Sequence, residues 1–352
     1  MYFLPYILPF ILTALLSVIL TLVTRRLALK WKLFDYPAPR KVHQKPIPRL
    51  GGVAVFLSFL LVVLSYLIFA PDKLQFVQDK IIGIDKNLFG VLLGALILVA
   101  TGIYDDIKGL KPFPKFILQI IAVLIVALFG IKIWWLSNPF GEKIILGSFS
   151  FIFVILWLLL MINVLNWLDG LDGLSGGVSS IGALILFFLS ISPAVNQSAT
   201  ALLCIILVGA VLGFLPFNFN PAKIFLGDSG SMFLGYMLGI FAIISGGKVA
   251  TALLVLGIPI FDAIWVILRR IWGKKAPWFS DKKHLHHRFL EAGFSQKQAV
   301  IILYGISLLF GFWALASQTK GKFLGFLALL VFMIFLSIVL IYLEKRHEQK
   351  GT

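Results

Sequence analysis

Apolar stretches long enough to cross a bilayer recur along the whole of this 352-residue chain and constrain its fold more than any motif does. Eleven are read from the sequence: 3–23, 50–70, 88–104, 113–131, 148–165, 177–192, 199–215, 230–246, 250–268, 300–318 and 323–343. About 17 to 25 apolar residues suffice to span the hydrocarbon core. Lipid offers no partner to an unpaired backbone N–H or C=O, so these segments must be helices. With 60% hydrophobic residues and a mean hydropathy of +1.01, the chain is not an ordinary soluble globule. The expected class is all-α: a polytopic integral membrane protein of about 11 transmembrane helices, with 1–352 as one membrane-embedded domain. The first stretch resembles a signal peptide but lacks a basic start and is too long for a simple h-region, so it is read as a retained span.

Charge sets the orientation. With an odd number of spans, one set of loops comprises 25–49, 105–115, 166–176, 216–229, 269–299 and the C-terminal tail. These loops and their helix edges hold 23 of the 31 Lys and Arg residues, so the positive-inside tendency places them in the cytoplasm and the N-terminus outside. The formal charge of +16 is therefore a topological signal rather than a nucleic-acid footprint, and no nucleic acid is expected as a partner. Some of these groups remain available to anionic lipid or phosphate. The single cysteine, Cys204, lies in an apolar run and reads as packing.

Acids are scarce, and most fall at helix exits on the same side. TGIYDDIKGLKPFPKF carries Asp105 and Asp106, with Lys108, Lys111 and Lys115 close behind. NVLNWLDGLDG carries Asn163, Asn166, Asp169 and Asp172 at intervals of three, one side of a helix if the helix continues through them. FNFNPAKIFLGDSGS carries Asn218, Asn220, Lys223 and Asp228. Ionised groups at membrane depth are costly and usually face a bundle interior or a polar cavity. Adjacent side chains on a helix point about 100° apart, so Asp105 and Asp106 are expected to do different jobs. Mg²⁺ prefers hard oxygen ligands and often bridges one or two carboxylates to substrate phosphates. Acids with Lys and Asn nearby therefore fit phosphate chemistry. An ion-coupled transporter is the rival, but transporters keep such groups near midplane in broken helices, whereas these gather at one rim.

The loop APWFSDKKHLHHRFLEAGFS holds three of the five histidines, His284, His286 and His287, beside Lys282, Lys283 and Arg288. No cysteine accompanies them and the spacing is not HExxH, so the reading is phosphate or nucleotide contact rather than zinc. Ser295 and Gln298 form a candidate capping box for the next helix. In the first cytoplasmic loop, Arg40, Lys41, Lys45 and Arg49 are available to phosphate, while His43 and His347 read as surface residues. Ser231, Gly235 and Gly239 form a small-xxx-small ladder expected to pack closely on another helix.

In order, DDxxK, NxxNxxDGLDG, FLGDSGS and HLHHR resemble the motifs of the polyprenyl-phosphate N-acetylhexosamine-1-phosphate transferase family. The resemblance covers most of the chain. It implies a bundle of ten or eleven helices with a cytoplasmic active site, in a multi-pass protein of the bacterial cell membrane. It also implies transfer of a sugar phosphate from a UDP-sugar to a polyprenyl phosphate, releasing UMP with Mg²⁺, for which Mn²⁺ can substitute. DKKHLHHRFL resembles the branch using UDP-N-acetylglucosamine, which initiates teichoic acid, O-antigen or related polymers. The muramoyl-pentapeptide branch has consecutive histidines, which Leu285 interrupts here.

By the same resemblance, Asp105 and Asp106 take the positions tied to acceptor activation and catalysis, and Asp228 that of the principal magnesium ligand. Asn166, Asp169 and Asp172 match the nucleotide-side cluster, and His284, His286 and His287, with Arg288 beside them, the donor side. Lys45, Lys108 and Lys115 are phosphate-binding candidates. The partners expected are UDP-N-acetylglucosamine, undecaprenyl phosphate and the lipid bilayer, with a homodimer as the assembly to test.

Overall fold

The computed structural model describes residues 3–37, 42–244, 249–273 and 284–351, with side chains through Arg346. Among the described residues the helices run α1 (Leu4–Lys30), α2 (Gly51–Phe69), α3 (Lys86–Lys108), α4 (Pro112–Leu128), α5 (Phe149–Leu168), α6 (Leu174–Ile191) and α7 (Ser198–Asn218). They continue as α8 (Gly227–Ile244), α9 (Val249–Val255), α10 (Gly257–Trp272), α11 (Leu285–Glu291), α12 (Gln296–Ala316) and α13 (Thr319–Gly351). Three antiparallel ribbons decorate the connections. They are β1 (Phe34–Asp35) with β2 (Ile47–Pro48), β3 (Lys80–Ile81) with β4 (Ile84–Asp85), and β5 (Trp135–Leu136) with β6 (Ile144–Ile145).

The all-α class is as expected. Among the described residues, nine helices are long and apolar enough to cross a membrane, or ten if α9 and α10 count as one broken span. The expected eleven differ from this count at two places. α4 has 17 residues, about 26 Å at 1.5 Å per residue, just short of a hydrocarbon core of about 30 Å. The stretch expected as one span over 250–268 is bent by 84° between α9 and α10. Pro259, in the first turn of α10, has no N–H to give the carbonyl of Val255, so one rung of the ladder is missing across the bend.

Small residues set the packing. α1 turns Pro9, Thr13, Ser17, Thr21 and Ala28 inward, and Ser17 donates to the Ala210 carbonyl of α7 at 2.5 Å. Gly213 of α7 rests on the Ala14 carbonyl with no room for a Cβ, the close approach that drives helix association where lipid gives no hydrophobic advantage. α8 occupies the centre, with 83% of its spanning stretch buried against 22% for α13. The expected ladder on α8 packs closely: Gly235 lies on the Met161–Ile162 backbone of α5, and Gly239 on Leu158. Cys204 is buried, and the Ser295–Gln298 capping box forms at the start of α12.

Candidate active site

Asp106, near the end of α3, closes the N-terminus of α8. Its carboxylate accepts the Asp228 N–H at 2.9 Å, the Ser229 N–H at 3.2 Å and the Ser229 hydroxyl at 2.9 Å. The first N–H groups of a helix lack internal partners and carry partial positive charge, so an acid here is doubly favoured. Two glycines make the approach feasible. Gly102 lets α3 reach the backbone of Asp228 and Ser229, and Gly227, at φ +73°, presses against the Asp106 carboxylate.

Asp105, one residue earlier, points elsewhere. Its Oδ1 accepts the Leu110 N–H at 2.6 Å, and its Oδ2 lies 2.9 Å from the Lys115 ammonium of α4. Lys115 also donates to Asp228 Oδ2 at 2.7 Å and to Asn166 Oδ1 at 3.3 Å. The Asn166 amide then donates to Asp228 Oδ1 at 2.6 Å and to the Ser231 hydroxyl at 2.9 Å. One ammonium thus joins groups from α3, α5 and α8, and the three acid motifs meet at one end of the bundle. Asn163, one turn deeper, donates to Gln119 at 2.9 Å and is a packing contact.

The α5 helix stops at Leu168, so the four-residue ladder is interrupted. Asp169 is the C-cap and faces a cavity, while Asp172 turns toward the loop before α8. There Asp172 Oδ2 accepts the Asn220 amide at 2.8 Å and the Ala222 N–H at 3.0 Å. Gly173, at φ +81°, donates its N–H to Asn218 Oδ1 at 3.1 Å, and its carbonyl accepts from the Tyr304 hydroxyl. Burial holds the Asp169 carboxyl well above the usual carboxylate range; Asp228 and Asp106 add to this and Arg49 opposes it.

The first loop closes the cavity. β2 and the start of α2 are stitched to the segment before α8: Phe225 N–H donates to the Pro48 carbonyl, and Gly51 and Gly52 N–H to Phe225 and Leu226 at 2.9 and 2.7 Å. This seats Arg49 beside Asp35, with which it forms an ion pair, and His43 lies 3.4 Å from the same carboxylate. His43, expected at the surface, is only 11% exposed because its ring packs on Phe225 at 5.0 Å. Arg49, His43 and Asp35 line a cavity of about 250 Å³ together with Asp106, Asn166, Asp169, Asp172, Asp228 and His287.

The histidine segment docks on the Trp167–Gly170 turn. His284 and His286 are buried and stacked at 5.6 Å with 7° between their planes. His284 lies 6.5 Å from the Trp167 ring, and His286 Nε2 occupies the space a Cβ on Gly170 would take. Burial, with His287 and then His284, depresses the His286 imidazole well below its ordinary value. Of the three histidines only His287 lines the cavity, and Arg288 follows it half-buried on α11. Asp262 of α10, which no sequence motif flagged, accepts the Leu285 N–H at 2.9 Å and sits 2.8 Å from His284 Nδ1. A lone acid within an apolar helix was the available signal.

The other expected residues lie farther out. Lys45 is exposed, and Lys108 is exposed with its ammonium 5.4 Å from the Tyr104 ring centroid. Arg40, Lys41, Lys282 and Lys283 lie outside the described residues, as does the His347 side chain. Among the described residues, no group of three or more His, Cys, Asp or Glu is arranged to hold a metal ion by itself.

Residues 88–246 match the model of glycosyl transferase family 4. The chain is 32% identical over 324 residues to a probable undecaprenyl-phosphate N-acetylglucosaminyl 1-phosphate transferase of Bacillus subtilis (strain 168), covering 90% of this chain and 86% of that one. It is 32% identical over 308 residues to the decaprenyl-phosphate N-acetylglucosaminephosphotransferase of Mycobacterium tuberculosis, covering 80% and 74%. It is 30% identical over 298 residues to an undecaprenyl-phosphate alpha-N-acetylglucosaminyl 1-phosphate transferase of Thermotoga maritima, covering 84% and 86%.

Proposed function

Because the chain belongs to the polyprenyl-phosphate N-acetylhexosamine-1-phosphate transferase family, we propose that it moves N-acetylglucosamine-1-phosphate from UDP-N-acetylglucosamine to undecaprenyl phosphate. The products are the diphosphate-linked lipid and UMP, and the step begins assembly of a surface polymer such as teichoic acid or O-antigen. The whole chain works as one membrane-embedded domain of the bacterial cell membrane, with the acid-lined cavity open to the cytoplasm. The excess of Lys and Arg on that side supports this orientation. The observation that carries the reading is the joining of Asp105, Asn166 and Asp228 through Lys115 beside a cavity where a membrane-held phosphate and a soluble nucleotide sugar can meet.

An oxygen of the acceptor phosphate attacks the β-phosphorus of the UDP-sugar. The bond between that phosphorus and the oxygen bridging it to the α-phosphorus breaks, UMP leaves with the bridging oxygen, and the sugar–phosphate bond persists. The acceptor is already mostly anionic at about pH 7, its second pKa being about 6, so proton removal is a small part of the barrier. The larger task is bringing anions together. Asp105 is the acceptor-side base or orienting group. Asp106, engaged by three donors from α8, holds Asp228 in place. Lys115 and Arg49 offset phosphate charge, while Asp169 and His287 line the donor side. Asp228, with Asp105 across Lys115, would hold Mg²⁺, an ion that one or two carboxylates suffice to bind. It would supply charge neutralisation and orientation of the phosphates. Transfer is direct, without a phosphorylated aspartate.

A panel of radiolabelled UDP-sugars offered with undecaprenyl phosphate tests this reading. Label is expected in the lipid fraction from UDP-N-acetylglucosamine. Preferential labelling from UDP-N-acetylmuramoyl-pentapeptide, or from another N-acetylhexosamine, would overturn the assigned donor.

A further inference from the structure

The histidine segment is attached to the bundle through an acid that the reaction chemistry does not call for. Asp262 sits in the second turn of α10 after the 84° break, and its side chain is only 15% exposed. One carboxylate oxygen accepts the first backbone N–H of α11, from Leu285, at 2.9 Å, and the other meets His284 Nδ1 at 2.8 Å. On its other side, His284 stacks on His286, whose Nε2 edge seats against Gly170. His286 and His287 rings are 4.4 Å apart, and His287 is the member that lines the cavity. A contiguous set of contacts therefore runs from Asp262 through two buried rings to the donor-side wall.

We propose that Asp262 is a positioning residue for the transfer site: by gripping His284 and the start of α11, it seats the histidine segment on the Trp167–Gly170 turn and presents His287 to the nucleotide sugar. The proposal rests on the phosphotransfer reading for its catalytic consequence, and on geometry alone for its structural one. Asp262 touches neither the cavity nor the acid cluster, so its effect passes through the segment it holds. A carboxylate at Nδ1 also fixes which ring nitrogen carries the proton, as an orienting acid behind a functional imidazole does. In Asp262→Asn, one amide position still accepts the Leu285 N–H, but its charge is gone and the other position offers His284 a donor. That reverses the polarity of the contact while changing shape little.

The test uses the full-length protein in detergent. Steady-state UMP release is measured for the wild type, Asp262→Asn, His287→Ala and the double variant, varying donor and lipid acceptor separately. Asp262→Asn is expected to raise the donor KM by about 10-fold or more, the scale of loss for orienting partners behind metal-ligating histidines, and to leave the acceptor KM within about twofold. The double variant is expected to match His287→Ala, since residues acting through one another are not additive. A loss that multiplies in the double variant, or a donor KM unchanged in Asp262→Asn, overturns the proposal. Should Asp262→Asn fail to fold, Gly170→Ala unseats His286 from the opposite side; it must give the same donor-selective change, and an acceptor-selective or null result overturns the proposal. Amide hydrogen exchange over residues 284–291 reads the grip without catalysis. Faster exchange in Asp262→Asn is expected, and unchanged exchange overturns the proposal. Wild-type protein that releases no UMP would remove the functional reading while leaving this exchange result intact.

Discussion

The Lys115 ammonium lies 2.7 Å from a carboxylate oxygen of Asp228, across 113 residues of sequence. It also lies 2.9 Å from Asp105, so one positive charge offsets two acids at the mouth of the bundle. Lys115→Met leaves both carboxylates facing each other without it. Turnover is expected to fall by at least about 100-fold, the loss typical of removing one preorganised charge-stabilising group. Lys115→Arg should recover little, because a planar fork does not replace a compact ammonium among three acceptors. UMP release by the purified variants checks this, and near-normal turnover in Lys115→Met would contradict it.

Asp105 and Asp106 are adjacent yet should fail differently. Asp106→Ala removes the acceptor of three α8 bonds and is expected to lower both thermal stability and activity; loss of a helix cap alone costs about 1 kcal/mol. Asp105→Ala should lower activity with the smaller loss of stability. Unfolding in detergent, run beside the turnover assay, distinguishes the two. Equal destabilisation would reject the division of labour.

Backbone contact between α2 and α8 supplies a packing prediction. A Cβ on Gly52 would enter the backbone of Gly230, which has no flexible end to move aside, whereas a Cβ on Gly305 of α12 meets nothing within 4 Å. Gly52→Ala should be destabilised and nearly inactive. Gly305→Ala should be neutral or stabilised by up to about 1 kcal/mol through helix propensity. Matching melting temperatures for the two variants would contradict the packing described.

His286 gives a pH dependence with a defined sign. Burial keeps its folded-state pKa well below the ordinary value, with His287 and His284 facing it. The unfolded chain takes up this proton below about pH 6.5, the folded chain only at lower pH. The unfolded state binds more protons in that window, so stability is present above it and falls as pH drops. Melting temperatures of His286→Gln should decline less than wild type between about pH 6.5 and 5. Identical slopes would contradict the burial argument.

Much of this was readable in the sequence because membrane helices make acids expensive. Asp105, Asp106, Asn166, Asp169 and Asp228 stood out as polar groups at apolar helix exits, and all five line or border one cavity. Patterning reads helix faces well and helix ends poorly. Nothing in NVLNWLDGLDG required α5 to stop at Leu168, the turn that lets Asp172 accept the Asn220 amide at the cavity wall. Spacing alone does not say which ring of HLHH is buried: His284 and His286 are, and His287 lines the wall. Asp35 and Asp262 were overlooked and His43 was read as a surface residue because their partners are set by tertiary contacts. Hydropathy also does not register the 84° bend between α9 and α10, beside which Pro259 lacks a donor for the helical ladder.

The most direct test measures UMP release by the purified protein in liposomes, with UDP-N-acetylglucosamine present and with undecaprenyl phosphate and Mg²⁺ each added or withheld. Release is expected only when both are supplied, abolished by EDTA and sharply reduced in Asp228→Asn. Release that needs no lipid acceptor, or coupled ion flux with no UMP at all, would contradict it.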